Sequence, residues 1–316
     1  MYLKRLIGHG LALAAAIGVL ALPQQTEARE ATQGRPGAPA ARTESSAPAA
    51  APSSTPSSAP ASAPSPAPAS VPLSAPRTVT FRGRAFDTCK TPPLSTLRAW
   101  RSSPYRAVGV YFGGRGRACP DQPHLSKRWV AAADRMGWGV LPVFVGSQSP
   151  CVQAKNKRHV RIGRAPWRQG RKEGRQAVRA AKALGMLTGS PLYLDMEAYN
   201  EGNRRCARTT LDFVRGWNRE VRKYAYLPGF YSSADSGVRH MEASRRAGVA
   251  DLPSVMWFAR WDGKPSLYGE RVLSKRAWTP HRRIHQYAGN VTEKHGGRRL
   301  TIDRNSADAP VARIGS

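Results

Sequence analysis

The chain has 316 residues, with 50 Lys and Arg against 20 Asp and Glu for a formal net charge of +30, and 41% of it is hydrophobic. That apolar content excludes a wholly disordered chain and suffices for one sizeable core. The one-sided charge points to an anionic partner, but no zinc-finger spacing, helix-turn-helix pattern or RNA-binding aromatic signature accompanies it, so no specific nucleic acid is expected.

At the N-terminus, Lys4 and Arg5 precede a short apolar run over 11–22, and small residues near Ala28 offer a cleavage site. Residues 1–28 therefore read as a secretory signal peptide, with the protein expected outside the cell or at its wall and no later span apolar enough to cross a bilayer. Its removal takes away Lys4, Arg5 and Glu27 and leaves a net charge of +29. Residues 29–78 are dominated by Ala, Pro and Ser, without a single charge between Ser45 and Pro76. Such a segment cannot bury enough surface to offset its ordering entropy, so it is predicted to be a disordered linker. Its prolines make it a semi-stiff spacer reaching at most on the order of 100 Å.

Residues 79–316 alternate apolar runs with amphipathic stretches, the pattern of repeated strand-helix units. Strands are predicted at 84–88, 107–112, 140–145, 192–196 and 229–232. Helices follow them over 94–101, 126–136, 166–187 and 206–226, and a fifth begins near Asp235, whose side chain is placed to cap it. Three further strands, 255–261, 283–287 and 300–303, have little helical sequence between them. Five strand-helix units completed by three strands make an α/β barrel of the TIM type. Cys89, Cys119, Cys151 and Cys206 all fall inside it, and in an exported chain two disulfides are expected. Three connectivities are open; Cys89 with Cys119 and Cys151 with Cys206 is favoured because each pair links loops after successive strands. The absence of CxxC and HExxH motifs argues against a metal site, and no cofactor motif is present.

The most informative stretch is Tyr193-Leu194-Asp195-Met196-Glu197, two acids on one face of a buried strand. Paired carboxylates repel when both are ionised, which leaves a proton donor beside an anion, the combination that glycosidic cleavage requires. Asp87 ends the first strand and Asp303 the eighth, so three chain segments converge on the barrel mouth, where such barrels gather their catalytic groups. A structural alternative pairs Asp87 or Asp303 with Arg260 or Arg304.

Phe86-Asp87-Thr88-Cys89, the Asp195 and Glu197 segment, Phe230-Tyr231-Ser232, Trp257-Phe258-Ala259-Arg260-Trp261, His285-Gln286-Tyr287 and Ile302-Asp303-Arg304-Asn305 occur in an order that resembles a known family. It is the glycoside-hydrolase-like domain of secreted actinobacterial proteins, itself similar to the family 25 lysozyme-type muramidases. The resemblance implies that Glu197 is the general acid and that Asp195 stabilises charge on the sugar or assists an N-acetyl group. It implies that Asp87 and Asp303 tune that pair, and that Tyr231, Gln286 and Tyr287 form a substrate wall; Trp257 and Trp261 are candidates to stack on sugar rings. Muramidases commonly end their first strand with Asp-x-Ser, whereas this chain has Asp87-Thr88-Cys89, so fold similarity does not carry the activity over by itself.

Between Lys155 and Lys182 the chain places eleven Lys or Arg against the single acid Glu173. Charge of that density attracts anionic polymers, and outside a cell the wall supplies phosphates and carboxylates. Two functions follow: a hydrolase of N-acetylated, peptidoglycan-like wall polysaccharide, which the converging acids favour, or a non-catalytic barrel that binds an anionic wall polymer. A monomer is expected in either case.

Overall fold

The computed structural model describes residues 77–315. The signal peptide and most of the linker predicted from sequence lie outside the described residues. Eight strands form a closed barrel in chain order: β1 (Val79–Asp87), β2 (Tyr105–Gly113), β3 (Gly139–Val145), β4 (Pro191–Asp195), β5 (Leu227–Ser233), β6 (Val255–Ala259), β7 (Arg283–His295) and β8 (Arg298–Val311). Five helices, α1 (Leu94–Ala99), α2 (Lys127–Arg135), α3 (Pro166–Ala183), α4 (Arg204–Lys223) and α5 (Arg239–Arg246), follow the first five strands. The α/β barrel of five strand-helix units and three bare strands is therefore the observed fold. No helix among the described residues is long and apolar enough to cross a membrane.

Strand alternation divides the apolar residues into two layers. Ala85, Ala107, Leu141, Val143, Tyr193, Val255, Trp257 and Ile284 fill the barrel, while Phe86, Val108, Val140, Leu192, Phe230 and Phe258 point outward beneath the helices. Inside, the Tyr193 hydroxyl donates across the barrel to the Pro310 carbonyl at 2.7 Å, and its ring meets Trp257 edge-on with centroids 5.4 Å apart. Glycines make room for these side chains. A Cβ at Gly229 would enter the Tyr193 ring, and one at Gly109 would lie 2.5 Å from the Asp87 Cβ and 3.3 Å from the Trp257 ring.

Three details differ from the sequence reading. The eighth strand runs antiparallel to both β7 and β1. Asp303 thus sits mid-strand, paired directly opposite Asp87, rather than at a carboxyl end. β7 and β8 also continue as a hairpin, turning at Gly296 and Gly297, both of positive φ, which suits the tight turn between twisted strands. Asp235 does not cap a helix either. A π-helical turn, Ala234–Val238, leads into α5, and the Asp235 carboxylate instead accepts from Arg260 at 2.7 and 3.0 Å and from Arg239 at 3.0 Å. Charge-assisted bonds to guanidinium are stronger than a bond to a neutral backbone N–H.

Helix starts elsewhere follow local chemistry. Ser126 and Asn203 cap α2 and α4 by accepting from the backbone N–H of Trp129 and Cys206, both at 3.1 Å. The disulfides join Cys89 to Cys119 and Cys151 to Cys206, as favoured from sequence, with Cα atoms 5.7 and 5.8 Å apart. The first ties the loop after β1 to that after β2; the second ties the loop after β3 to α4.

Because Gly109 lets Asp87 and Trp257 share the barrel interior, Gly109→Val is expected to cost about 1–3 kcal/mol through overpacking. Denaturant unfolding of the variant beside the native chain measures that loss.

Candidate active site

Asp195 closes β4, and the chain keeps its alternation for two more residues because the Met196 N–H donates to the Tyr231 carbonyl at 3.0 Å. Asp195 and Glu197 therefore face the same opening. It is a cleft of about 760 Å³ whose wall includes Asp87, Tyr111, Lys157, Asp195, Glu197, Asn290 and Asp303. All four acids singled out in the sequence meet there.

Their surroundings differ. Asp87, buried at the base, accepts from the Tyr111 hydroxyl at 2.7 Å, the Asn305 amide at 2.8 Å and the Gln286 amide at 3.1 Å. Burial raises its carboxyl above the ordinary range, and these three donors hold the rise back. Asp303 accepts from the Asn290 backbone N–H at 2.7 Å and from Gln286 at 3.3 Å. Asn290 aims that N–H from a left-handed conformation, φ 55°, which Asn tolerates. Burial and the nearby Asp87 push the Asp303 carboxyl up to about 7.

Asp195 is the driest of the central pair, 5% exposed. Its Oδ1 has no hydrogen-bond partner among the described residues. Burial, reinforced by the Glu197 charge, pushes its carboxyl well above the usual range, and Lys157 pulls it partly back. Glu197 stands nearer the solvent, with its side chain 35% exposed and Oε1 3.7 Å from the Lys157 ammonium. Gln148 braces both residues by accepting from the Glu197 N–H at 2.8 Å and donating to the Asp195 carbonyl at 2.9 Å.

The arginine alternative is not what the structure contains. Arg260 is engaged by Asp235 and Glu270, and Arg304 by Glu293 at 2.6 Å. No arginine lines the cleft among the described residues.

The aromatic and amide candidates separate. Tyr231 meets the acids only through Gln286, donating to its Oε1 at 2.9 Å. Gln286 is buried, with its amide shared among Asp87, Asp303, Tyr231 and Trp261, so it holds the acids in place rather than standing open to solvent. Trp257 lies under the cleft, donating to Asn305 at 2.8 Å. Tyr287 points away; its ring packs against Arg84 at 5.2 Å and His285 at 6.1 Å. Trp261 is 57% exposed and lies on Gly289, where a Cβ would enter its ring. It forms part of the wall of a neighbouring hollow of about 880 Å³.

Tyr111, Lys157, Gln148 and Asn305 were not assigned roles from the sequence. Alternation could have found two of them: Tyr111 is two residues beyond inward-facing Gly109, and Asn305 two beyond Asp303. Lys157 stood hidden in a basic run, and only the folded loop shows that its side chain is 8% exposed and turned inward.

The sequence profile of the Rv2525c-like, glycoside hydrolase-like domain family matches residues 98–307. The chain belongs to this family. That match contains Asp195, Glu197 and Asp303, with Asp87 just ahead of it. Among solved structures, the chain is similar to the Tat-secreted protein Rv2525c of Mycobacterium tuberculosis, at 15% identity and a TM-score of 0.50, over 72% of this chain and 96% of that one. It is also similar to the modular autolysin LytC of Streptococcus pneumoniae, at 14% identity and a TM-score of 0.45, over 71% of this chain and 46% of that one. A third is the catalytic domain of endolysin ply40 from bacteriophage P40 of Listeria monocytogenes, at 14% identity and a TM-score of 0.43, over 72% and 93% of the respective chains. No curated protein matches the sequence.

Two outcomes test these electrostatics. Lys157→Met removes the positive charge that lowers the Asp195 carboxyl, so NMR titration of the side-chain carboxyl carbon is expected to place its midpoint higher than in the native chain. Asp303 supplies the second, through its pH linkage. With its folded value near 7 and an unfolded value near about 3.9, the native state holds the extra proton between those limits. Stability therefore falls as pH rises through that window and stays lower above it. In Asp303→Asn the loss of stability between pH 4 and pH 8 should shrink, as measured by urea unfolding at both pH values.

Proposed function

We propose that the protein is an exported glycoside hydrolase that cleaves N-acetylated cell-wall polysaccharide, with Glu197 as proton donor and Asp195 as its electrostatic partner. The observation that carries this reading is Asp195 Oδ1, buried in an acid-lined cleft without a hydrogen-bond partner while Glu197 stands beside it nearer the solvent. The four acids of this cleft would repel an anionic polymer, which counts against a barrel that only binds one. An acetamido N–H donated to Asp195 would favour its anionic form, the form its proposed electrostatic role requires.

In the reaction, Glu197 gives its proton to the glycosidic oxygen as the bond from the anomeric carbon breaks. The acetamido oxygen closes onto that carbon, and anionic Asp195 stabilises the positive charge that spreads over the new ring. Water then opens the ring at the anomeric carbon, returning a proton to Glu197. Asp303 and Asp87, fixed by Gln286, raise the negative potential that keeps a proton within the group. Trp261 extends the surface on which a neighbouring sugar can lie.

Export is the setting this chemistry requires. It is supported by the N-terminal sequence, by two disulfides and by the fold shared with a Tat-secreted protein. In the same reading, residues 29–78 tether the barrel and residues 79–316 form the working domain.

Incubation of the native chain with purified wall glycan should release new reducing ends. Glu197→Gln and Asp195→Asn should each slow release by at least about 100-fold, the usual scale for a lost acid-base group, while both variants still sediment with whole walls. Absence of products from the native chain across several N-acetylated glycans would overturn the assignment.

A further inference from the structure

The outer side of the barrel carries a feature that the cleft does not use. Along α3, Arg168, Lys172, Arg175, Arg179 and Lys182 recur at alternating intervals of four and three residues, which sets them in one stripe. Arg168, Lys172, Arg179 and Lys182 are exposed and without an ion-pair partner among the described residues. The acid within this run, Glu173, is buried and turned inward, accepting from the Ser147 N–H at 2.8 Å and the Ser147 hydroxyl at 2.6 Å. On α4, buried Glu220 holds Arg171 at 2.7 Å and Arg175 at 3.1 Å, two cations on one carboxylate.

Like charges at this spacing destabilise a helix, and an ordinary solvated face interleaves acids with them. This helix is held by other means. Its Gly174 lies against the backbone of Trp217, where a Cβ would come within 3.0 Å of the carbonyl oxygen, and Gly170 makes a similar approach to Phe213. A local cost kept at the surface and offset by packing below marks a functional face.

We infer that the α3 stripe docks a single-stranded, flexible phosphodiester polymer. The unpaired cations fall in two pairs, Arg168 with Lys172 and Arg179 with Lys182, each about one helical turn apart, roughly 5.4 Å along the axis, whereas duplex DNA presents a charge about every 3.4 Å on each strand and every 1.7 Å overall. The spacing suits a lone strand with separated phosphates. Arginine adds planar, paired donors that fit a phosphate. The face lies outside the barrel and needs no turnover in the cleft, so it stands or falls apart from the hydrolase assignment.

The test is titration of the full chain with fluorescently labelled poly(glycerol phosphate) at several salt concentrations. A variant carrying Arg168→Glu, Lys172→Glu, Arg179→Glu and Lys182→Glu is compared with one carrying Lys275→Glu, Arg276→Glu, Arg298→Glu and Arg299→Glu, which changes net charge equally. Circular dichroism confirms that both fold. Native binding should weaken steeply with salt, and the α3 variant should bind at least about tenfold more weakly with a shallower salt slope, while the control stays within about threefold of native. Equal loss in both variants, no salt-dependent binding by the native chain, or tighter binding of duplex DNA than of the polymer would overturn the inference.

Discussion

The side-chain amide of Gln286 can be bonded in only one orientation. Its oxygen accepts from Tyr231 at 2.9 Å and from Trp261 at 3.0 Å, and its nitrogen donates to Asp87 at 3.1 Å and to Asp303 at 3.3 Å. Every donor and acceptor site of the group is then used. One amide thereby ties β1, β5, β8 and the loop after β6 to β7 at the barrel mouth. The arrangement answers a specific difficulty. The antiparallel ladder sets Asp87 directly opposite Asp303, and two carboxylates in register repel. A neutral donor between them, with Asn305 and the Asn290 N–H behind, allows both acids to remain at the mouth without a neutralising cation.

Charge segregation completes that arrangement. In a chain with 50 Lys and Arg, a cluster of acids would be expected to draw in arginine. Instead the two arginines expected from sequence to pair with them are held elsewhere: Arg260 between Asp235 and Glu270, and Arg304 on Glu293. Lys157 is the cation that reaches the central pair, and its ammonium is held by the Gly116 carbonyl at 2.6 Å, short of full contact with Glu197 at 3.7 Å. A partial counter-charge of this kind limits the repulsion between the two acids without locking Glu197 into a tight ion pair.

The barrel was legible in the sequence because its strands and helices differ sharply in period, and because a central strand such as 192–196 is apolar on both faces. The convergence of Asp87, Asp195, Glu197 and Asp303 followed from strand order alone. Strand direction did not. A run such as 300–303 carries no mark of the way it travels, so Asp303 was expected at a strand end and lies in the middle of β8. The roles of individual side chains were hidden for a related reason. Alternation tells which face a residue takes, yet Gln286 and Trp257 both face inward and are already bonded to protein groups, whereas Tyr287 faces outward against Arg84. Lys157 was beyond reach, since one lysine in a basic run looks like the next until the loop, anchored by the Cys151–Cys206 disulfide, turns it inward.

Asp195 shows why the order of burial within the acid group matters. A carboxylate that is already bonded, as Asp87 is by three donors, gains little from a ligand because its lone pairs are occupied. One that is wholly exposed gains little as well, since water solvates it beforehand. Asp195 is desolvated by the barrel and left without a partner at Oδ1, so its anionic form is costly until a donor arrives. In the proposed reaction, a ligand with a donor beside the reacting carbon would relieve that cost where charge develops, while a sugar lacking one would leave it in place. Discrimination and rate would then arise from the same unpaired oxygen, and selectivity for an acetamido sugar would need no separate recognition pocket.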